Sequence, residues 1–441
     1  MAANPKTITL QEIQINQLAE ARSNTDALFK ILQADSFYER PIPERHRIVF
    51  YLGHLEAFDW NLFRGQNPSL ASFAPELDKL FAFGIDPVGG GLPTDGPEAW
   101  PRVESVREYN QRIREEIDTA LRRERFTESG TGASMETLCH VAIEHRLMHA
   151  ETLAYMFHQL PLERKVRQAQ RDVTGRFSPN GMIEIPSGKT TLGIPRGEAY
   201  RFGWDNEFKG FEVEVPAFQI EKYMVTNGEF LTFLEAGGYY NPLLWSAEDW
   251  AWKESRHVQH PAFWRRDEEE WLCRGMFEEM PLPLEWPVYV SHAEASAYAR
   301  WAGKSLPTEA QWHRAAYGTP AGRERDFPWG AEAPNHRLGN FDFLRWDPAP
   351  VNAFSGNSSA WGVVGQLGNG WEWTSSKFAP FDGFQAFPFY PGYSAAFFDG
   401  KHYVMKGGSA RTAAPLLRRS FRNWFQPHYQ YVYAGFRCVS S

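Results

Sequence analysis

The sequence predicts an α+β multidomain protein, with a helical bundle first and a mixed domain of short strands and short helices after it. Two observations carry this prediction. Apolar residues recur at three- and four-residue steps through residues 8–165, which is the spacing of amphipathic helices. Beyond a polar stretch, short β-rich runs alternate with Gly, Pro and Asn turns. The predicted boundaries are a bundle over 1–165, a linker over 166–182 and a second domain over 183–441.

The first domain contains separate segments with helical spacing, and together they predict a four-helix bundle. Between the second and third segments, residues 84–101 are rich in Gly and Pro, which predicts a long loop. The helical segments are residues 10–32, 45–63, 103–121 and 135–160.

The second domain is predicted to have an α+β fold with many irregular loops. Strands are predicted in runs such as GMIEIPSGKTTLGI and FEVEVPAFQIEKYMV. Short helices are predicted around residues 226–238, 291–303 and 306–318, and the first of them opens with Thr226 as a capping residue.

Composition places the chain among ordinary soluble proteins. The 441 residues carry a formal net charge of −8, so neither nucleic acid nor an anionic membrane surface is an expected partner. The three cysteines form no CxxC pair, which favours a reducing compartment. No apolar run reaches membrane-spanning length and the N-terminus lacks an apolar core, so we expect a cytoplasmic protein. The oligomeric state is left open.

Three histidines of the bundle are candidate metal ligands. His145 and His149 are one helical turn apart, so both point the same way, and His54 lies in an apolar stretch of the second predicted helix. Bundles build metal sites from facing helices, and neutral imidazole suits Fe, Zn, Cu and Ni alike. The alternative without a metal is that His145 and His149 lie on the helix surface and that His54 is a core histidine with its hydrogen bonds satisfied. The spacing in the sequence would then be the same. Glu151 lies about 200° round the helix from His149, so it is not expected to bind the same ion. It would either orient a neighbouring helix or histidine or be a solvated glutamate, and the geometry slightly favours the solvated glutamate.

The histidine pattern, together with motifs of the second domain, resembles a known enzyme family. The series His54 … His145-Arg-Leu-Met-His149-Ala-Glu151 is similar to the iron-binding HxxxHxE pattern of the sulfoxide synthases of ergothioneine biosynthesis. Those enzymes pair a DinB-like four-helix bundle with a domain like the formylglycine-generating enzyme, a variant of the C-type-lectin fold. The segments that resemble this second domain are residues 303–318, 367–376, 407–410 and 422–439.

This resemblance implies an oxygen-dependent enzyme with Fe(II) held by His54, His145 and His149. In the family, the sulfur of cysteine or γ-glutamylcysteine is joined to the imidazole C2 of hercynine, the Nα-trimethylated form of histidine, and the product is a sulfoxide. A site with three protein ligands suits this chemistry because it leaves coordination positions open for the substrates.

The resemblance also implies substrate-binding residues. The stretch Asn423-Trp424-Phe425 matches the place where the family holds the trimethylammonium group, and Phe378 could help to close that pocket. Aromatic faces are the natural partners of such a cation. Trp371 and Trp373 are expected to pack in the core instead. Arginine is the natural partner of the substrate carboxylates, and the candidates are Arg102, Arg419 and Arg422.

Three positions depart from the family pattern. Met148 stands where a glutamine often contacts the substrate imidazole. Phe378 stands near a position where some members carry a catalytic tyrosine, so another tyrosine would have to donate the proton. Phe425 is apolar where a polar group would meet γ-glutamylcysteine, which favours a smaller donor such as cysteine. The candidate catalytic tyrosines are Tyr109 and Tyr393, with Tyr390 and Tyr403 as alternatives.

Other functions remain open at the level of the sequence. A selenoneine synthase would share the fold and the three histidines and would take selenium from a selenosugar. A synthase acting on unmethylated histidine, a zinc-dependent thiol transferase and a non-enzymatic binding module are further alternatives. A formylglycine-generating oxidase is disfavoured because residues 407–425 contain no cysteine for copper, and the three cysteines are expected to be buried small residues.

Overall fold

The computed structural model describes residues 9–67, 69–82, 94–123, 133–170, 173–175, 179–194 and 202–440. The chain divides into two compact units, Met1–Gln168 and Ala169–Ser441. The predicted linker falls across this division, and several of its residues lie outside the described ones, as do residues 83–93 of the predicted Gly- and Pro-rich loop.

Among its described residues, the first unit confirms the predicted four long helices and adds one short α-helix that the sequence pattern did not indicate. A capping box between Thr9 and Glu12 starts the first helix, and the Ser134 side chain caps the last. The helices are α1 Leu10–Phe29, α2 Ile48–Arg64, α3 Pro75–Leu80, α4 Val103–Arg123 and α5 Met135–His158.

The packing of these helices determines which polar residues are internal. α1 lies against α5, and α2 lies against both α4 and α5. α4 is strongly amphipathic and buries one apolar stripe, whereas α2 and α5 are buried on most of their surface. Histidines and charged residues in α2 and α5 are therefore held inside the unit. Within the described residues, none of the helices combines the length and the apolar character needed to cross a bilayer.

The second unit is built from short strands in small sheets, with short helices between them, as the sequence predicts. Its strands are β1 Met182–Ile185, β2 Gly188–Leu192, β3 Phe211–Val215, β4 Phe218–Glu221, β5 Trp264–Asp267, β6 Glu270–Arg274, β7 Glu279–Pro281, β8 Gly370–Lys377, β9 Tyr403–Gly408, β10 Asn423–Phe425, β11 Ala434–Gly435 and β12 Val439–Ser440. Its helices are α6 Asn227–Glu235, α7 Ala247–Ser255, α8 His292–Trp301 and α9 Glu309–Tyr317.

The largest sheet among the described residues has the strand order β10-β9-β8-β11, with β11 parallel to β8 and the other pairs antiparallel. Three smaller sheets have the orders β1-β4-β12, β2-β3 and β5-β6-β7. Trp371 and Trp373 of β8 are buried at 2% and 0% exposure, as expected for core residues. Helix α9 packs against β8 and β9, and its Trp312 indole donates a hydrogen bond to Glu372 of β8 at 2.7 Å. The three cysteines are all buried, as expected.

Candidate metal centre

The three histidines singled out in the sequence come together inside the first unit. His54 projects from α2, and His145 and His149 project from α5. One ring nitrogen of each lies within 4.8 Å of the others. All three side chains are buried, at 4%, 4% and 2% exposure. These histidines are therefore neither surface residues nor isolated core residues.

A hydrogen bond orients the His54 ring. Its Nδ1 lies 2.7 Å from the carbonyl oxygen of Phe81, so Nδ1 carries the proton and donates it. This leaves the lone pair of Nε2 available to a metal, which is the usual arrangement of metal-binding histidines. Gly53 makes the contact possible, because a Cβ at that position would lie 2.5 Å from the Phe81 ring.

The rings around the histidines form an apolar enclosure. The Nε2 atoms of His145 and His149 are 3.1 Å apart. Phe58 stacks on His145 with ring centroids 3.4 Å apart, and Phe50 stacks on His54 at 5.0 Å. This stacking covers one ring face of His145 and one ring face of His54.

Burial also determines the charge of the imidazoles. Desolvation lowers the pKa of His54 to about 4, even though its hydrogen bond to Phe81 acts in the opposite direction. Burial, followed by the neighbouring histidines, lowers the pKa of His145 and His149 well below the ordinary value. All three are therefore neutral at pH 7, and neutral imidazole is the form that binds a metal. Three neutral, buried and converging nitrogen donors fit a divalent transition metal.

Glu151 corrects one expectation. The sequence favoured a solvated glutamate, but the side chain is 8% exposed and lies in the interior of the unit. The error comes from α5 being buried on most sides, so a residue on the face away from His149 still meets protein instead of solvent.

The other candidates of the first unit lie in different environments. The Tyr109 hydroxyl donates a hydrogen bond to Asp78 at 2.8 Å, and burial raises the pKa of Tyr109. Arg102 is exposed, and its guanidinium lies 3.6 Å from Glu104. Tyr109 is thus held in place by an acidic partner, and Arg102 points into solvent. Neither contact tests the proposed roles.

Several candidates of the second unit form one aromatic cluster. Trp424 stacks on Phe378 with centroids 4.1 Å apart and rings 7° from parallel. Tyr393 meets the same indole edge-on at 5.5 Å, and it stacks on Trp204 at 3.9 Å. Phe397 completes the surroundings of Trp424 at 5.6 Å. The sequence did not indicate Trp204 or Phe397, because their approach depends on loop conformation.

The remaining candidates of the second unit contact other residues of that unit. The Asn423 side-chain oxygen accepts a hydrogen bond from the Trp424 amide at 2.9 Å, and Phe425 stacks on Tyr429 at 5.0 Å. Arg419 pairs with Glu324 at 3.0 Å and keeps 32% of its side chain exposed. Arg422 is buried, and both oxygens of Glu309 accept its hydrogen bonds at 3.0 and 3.1 Å. Arg422 already has the carboxylate partner that a substrate would otherwise provide.

Charged residues beside the histidines are the functional candidates that the sequence analysis missed. Arg146 follows His145 directly, and Glu56 and Asp59 follow His54 on α2; all three are buried at 1% exposure or less. Their signal in the sequence is the presence of ionisable residues within otherwise apolar helices, which is unusual unless the charges are paired.

Comparison with known proteins covers both units. Residues 17–153 match the model of the DinB superfamily, and residues 168–441 match that of the sulfatase-modifying factor enzyme 1-like domain. These matches confirm the predicted fold class of a DinB-like bundle followed by a domain like the formylglycine-generating enzyme.

Proteins similar to this chain occur in bacteria and in fungi. A hercynine oxygenase of Mycolicibacterium smegmatis is 32% identical, over 97% of this chain and 98% of that protein. A hercynine oxygenase of Mycobacterium tuberculosis is 40% identical over 53% of this chain, and ergothioneine biosynthesis protein 1 of Neurospora crassa is 27% identical over 93%. Both of these alignments span 55% of the relative's own length. Because the match to the M. smegmatis protein runs through both units and includes the stretch that holds the three histidines, the chain belongs to the hercynine oxygenase family of ergothioneine biosynthesis.

Proposed function

We propose that the protein is a non-heme Fe(II)- and dioxygen-dependent sulfoxide synthase that joins the sulfur of cysteine or γ-glutamylcysteine to the imidazole C2 of hercynine. The observation that carries this proposal is the convergence of His54, His145 and His149 in a chain of the hercynine oxygenase family. When bound, iron would supply the redox chemistry with dioxygen and would favour the thiolate form of the sulfur donor.

The chain's own contribution at the metal is a rigid set of three ligands. Neutral, buried imidazoles need not lose a proton at pH 7 before they bind the ion. A set of only three ligands leaves positions for the two organic substrates and dioxygen. The apolar rings of Phe58 and Phe50 limit the access of water to the histidines.

The aromatic cluster of the second unit is the part that we assign to the trimethylammonium group. That group cannot donate a hydrogen bond, so aromatic faces must hold it. Phe378 covers one face of the Trp424 indole at 4.1 Å, so the cation would lie against the uncovered part of this half-buried ring, which Tyr393 meets edge-on. Asn423 adds a side-chain dipole next to Trp424. The partial exposure of Arg419 supports it as the partner of a substrate carboxylate, whereas Arg422 is closed by Glu309.

We assign proton donation to Tyr393 instead of Tyr109, because of the contacts that each tyrosine makes. The hydroxyl proton of Tyr109 is already donated to Asp78, whereas Tyr393 lies beside the indole that we propose to hold hercynine. Phe425 packs on Tyr429 and presents no charge, which supports cysteine over γ-glutamylcysteine as the donor. Phenylalanine substitution of Tyr393 and of Tyr109, assayed side by side, distinguishes the two tyrosines.

Oxygen consumption tests the proposed reaction. The protein is purified without oxygen, loaded with Fe(II) and given hercynine with cysteine, γ-glutamylcysteine or a selenosugar, and the products are identified by mass. We expect oxygen uptake and a hercynine–cysteine sulfoxide. A selenium adduct without sulfoxide would replace the proposal with a selenoneine synthase. Zinc binding without oxygen uptake for any pair would replace it with a thiol transferase.

The trimethylammonium assignment predicts a substrate-specific defect in Trp424→Leu. Loss of the indole face should raise KM for hercynine about 10-fold, which corresponds to a cation–π contribution of roughly 1–2 kcal/mol. The effect on unmethylated histidine should be much smaller, because histidine lacks the quaternary ammonium group. Trp301→Leu is the matched control, since Trp301 is 37% exposed on α8. Equal losses for hercynine and histidine would contradict the assignment.

A further inference from the structure

A buried ion-pair network connects the two helices that carry the histidines. The Arg146 guanidinium on α5 is 0% exposed and reaches across to α2. The Nη2 atom of Arg146 donates to Glu56 at 2.8 Å, to Asp59 at 2.7 Å and to the backbone carbonyl of Leu55 at 3.0 Å. The Nη1 atom donates to Glu56 at 3.0 Å. Arg146 therefore binds both the side chains and the backbone of α2.

The network lies at the same height in the bundle as the metal site. Arg146 is the residue after His145, and Glu56 is two residues after His54. Successive residues of a helix point about 100° apart, so the ligands and the charged groups occupy neighbouring faces of the same turns. The contact that orders the charges is thus the same helix–helix contact that sets the spacing between His54 and the α5 histidines.

The network continues into the other two long helices. Arg114 of α4 donates to Glu56 at 2.6 and 2.9 Å, and it donates to Asp26 of α1 at 2.7 and 2.8 Å. Every long helix of the unit therefore contributes to one connected set of charges around Glu56.

Stability alone does not explain such an arrangement. Desolvation of buried charges offsets most of their mutual attraction, and apolar residues of similar volume are often at least as stabilising. A forked guanidinium bound to two carboxylates, however, requires defined bond directions. It therefore fixes the relative position of the two helices, whereas apolar packing allows one helix to shift slightly along the other. A metal site needs that specificity, because ligand distances must hold to within about 0.2 Å while one helical residue spans about 1.5 Å.

We propose that Arg146, together with Glu56 and Asp59, is a positioning group that fixes α2 against α5 and so sets the distance of His54 from His145 and His149 for metal binding. These residues act through the histidines and do not bind the metal. The inference rests on the metal site of the proposed function and is independent of its substrates.

Metal binding by a protein that lacks the charges of Arg146, Glu56 and Asp59 tests this inference. The test protein is Arg146→Met/Glu56→Gln/Asp59→Asn, in which Arg114 keeps Asp26 as its charged partner. Co(II) alone is the probe, since its visible absorption reports both affinity and ligand geometry. We expect a folded protein by circular dichroism that binds Co(II) 10- to 100-fold more weakly, the range for groups that orient metal ligands. Its visible spectrum should also change.

The matched control removes another ion pair of the same unit. Arg164 pairs with Asp35, and both residues lie outside the long helices, so Arg164→Met/Asp35→Asn alters segments that carry none of the three histidines and none of the network residues. This control should bind Co(II) within about twofold of the unaltered protein. Arg146→Lys is the second test, since it keeps the charge, is the variant best able to fold, and loses the fork. We expect weaker Co(II) binding from it as well.

The outcomes separate this inference from the proposed function. If the unaltered protein binds no Co(II), the metal site itself fails and the inference fails with it. If the unaltered protein binds and the folded Arg146 variants bind equally well with the same spectrum, only the positioning role is overturned. Equal weakening in the Arg164/Asp35 control would also overturn it, because the effect would then come from general loosening of the bundle.

Discussion

Replacing His54 with alanine is expected to abolish specific metal binding and, with it, oxygen consumption. His54 is the member of the histidine cluster that α2 supplies, and its loss leaves two imidazoles from one helix. Removing a ligand should cost more than the roughly 100-fold upper range seen when a group behind a ligand is lost. Metal content after dialysis and a Co(II) titration measure the affinity, and oxygen uptake with hercynine and a thiol measures the activity.

His158→Gln provides the control for this experiment. His158 lies on α5, like two of the proposed ligands, and is buried at 3% exposure, but it does not belong to the cluster of converging nitrogens. Its replacement should leave Co(II) affinity within a few-fold of the unaltered protein. Retention of full affinity by His54→Ala would show that the three histidines are not the site, even if activity fell.

The helices of the first unit could be predicted because their pattern is local. Apolar spacing determines that α1, α2, α4 and α5 are helical, and helix geometry alone places His145 and His149 on one face. The approach of His54 to that pair is not local, since it depends on the packing of α2 against α5. Resemblance to a family gave that approach, which periodicity could not. The Phe81 carbonyl behind His54 carries no signal in the sequence, because any residue has a carbonyl.

The partners of Arg146 could not be predicted for a different reason, although ionisable residues within apolar helices are a signal that such charges are paired. A charged residue in a helix is normally solvated, and the sequence does not show that α2 and α5 are buried on most sides. The same ignorance produced the wrong expectation for Glu151. In the second unit, the arginines illustrate a related difficulty. Arg422 suits a substrate carboxylate in principle, but Glu309, which is 113 residues away in the chain, occupies it.

The sequence could indicate individual aromatic residues of the second unit, but not their packing against one another. The sequence singled out Phe378, Tyr393 and Trp424, which are up to 46 residues apart, and the structure stacks them into one cluster. Trp371 and Trp373 were assigned to the core from their motif, and their burial agrees. Which aromatic rings pack together and which meet a ligand is decided by loop conformation, where short-range patterns are weakest.

Arg437→Met is expected to cause a large loss of stability in the second unit. The Arg437 side chain is 0% exposed, and its fork donates to both oxygens of Glu372 at 2.7 Å. Another nitrogen donates to the carbonyls of Glu221 and Lys222 at 3.0 Å each. Methionine has a similar length but no donors, so the buried Glu372 carboxylate loses its ion pair, and three backbone carbonyls, the third being that of Val364, lose a donor. Breaking such a pair costs about 3–5 kcal/mol.

Urea unfolding followed by tryptophan fluorescence measures this loss, and two further variants identify its cause. Arg265→Met is the exposed control, since Arg265 pairs with Glu279 at 2.9 Å near the surface and should change stability by less than about 1 kcal/mol. The double variant Arg437→Met/Glu372→Leu removes both charges and should recover much of the stability that Arg437→Met loses, because the unpaired buried carboxylate is gone.

Equal instability of the single and double variants would show that the hydrogen bonds to the end of β4 and to Trp312 matter more than the unpaired charge. An unfolding midpoint of Arg437→Met equal to that of Arg265→Met would mean that this ion pair does not hold β8 in the core.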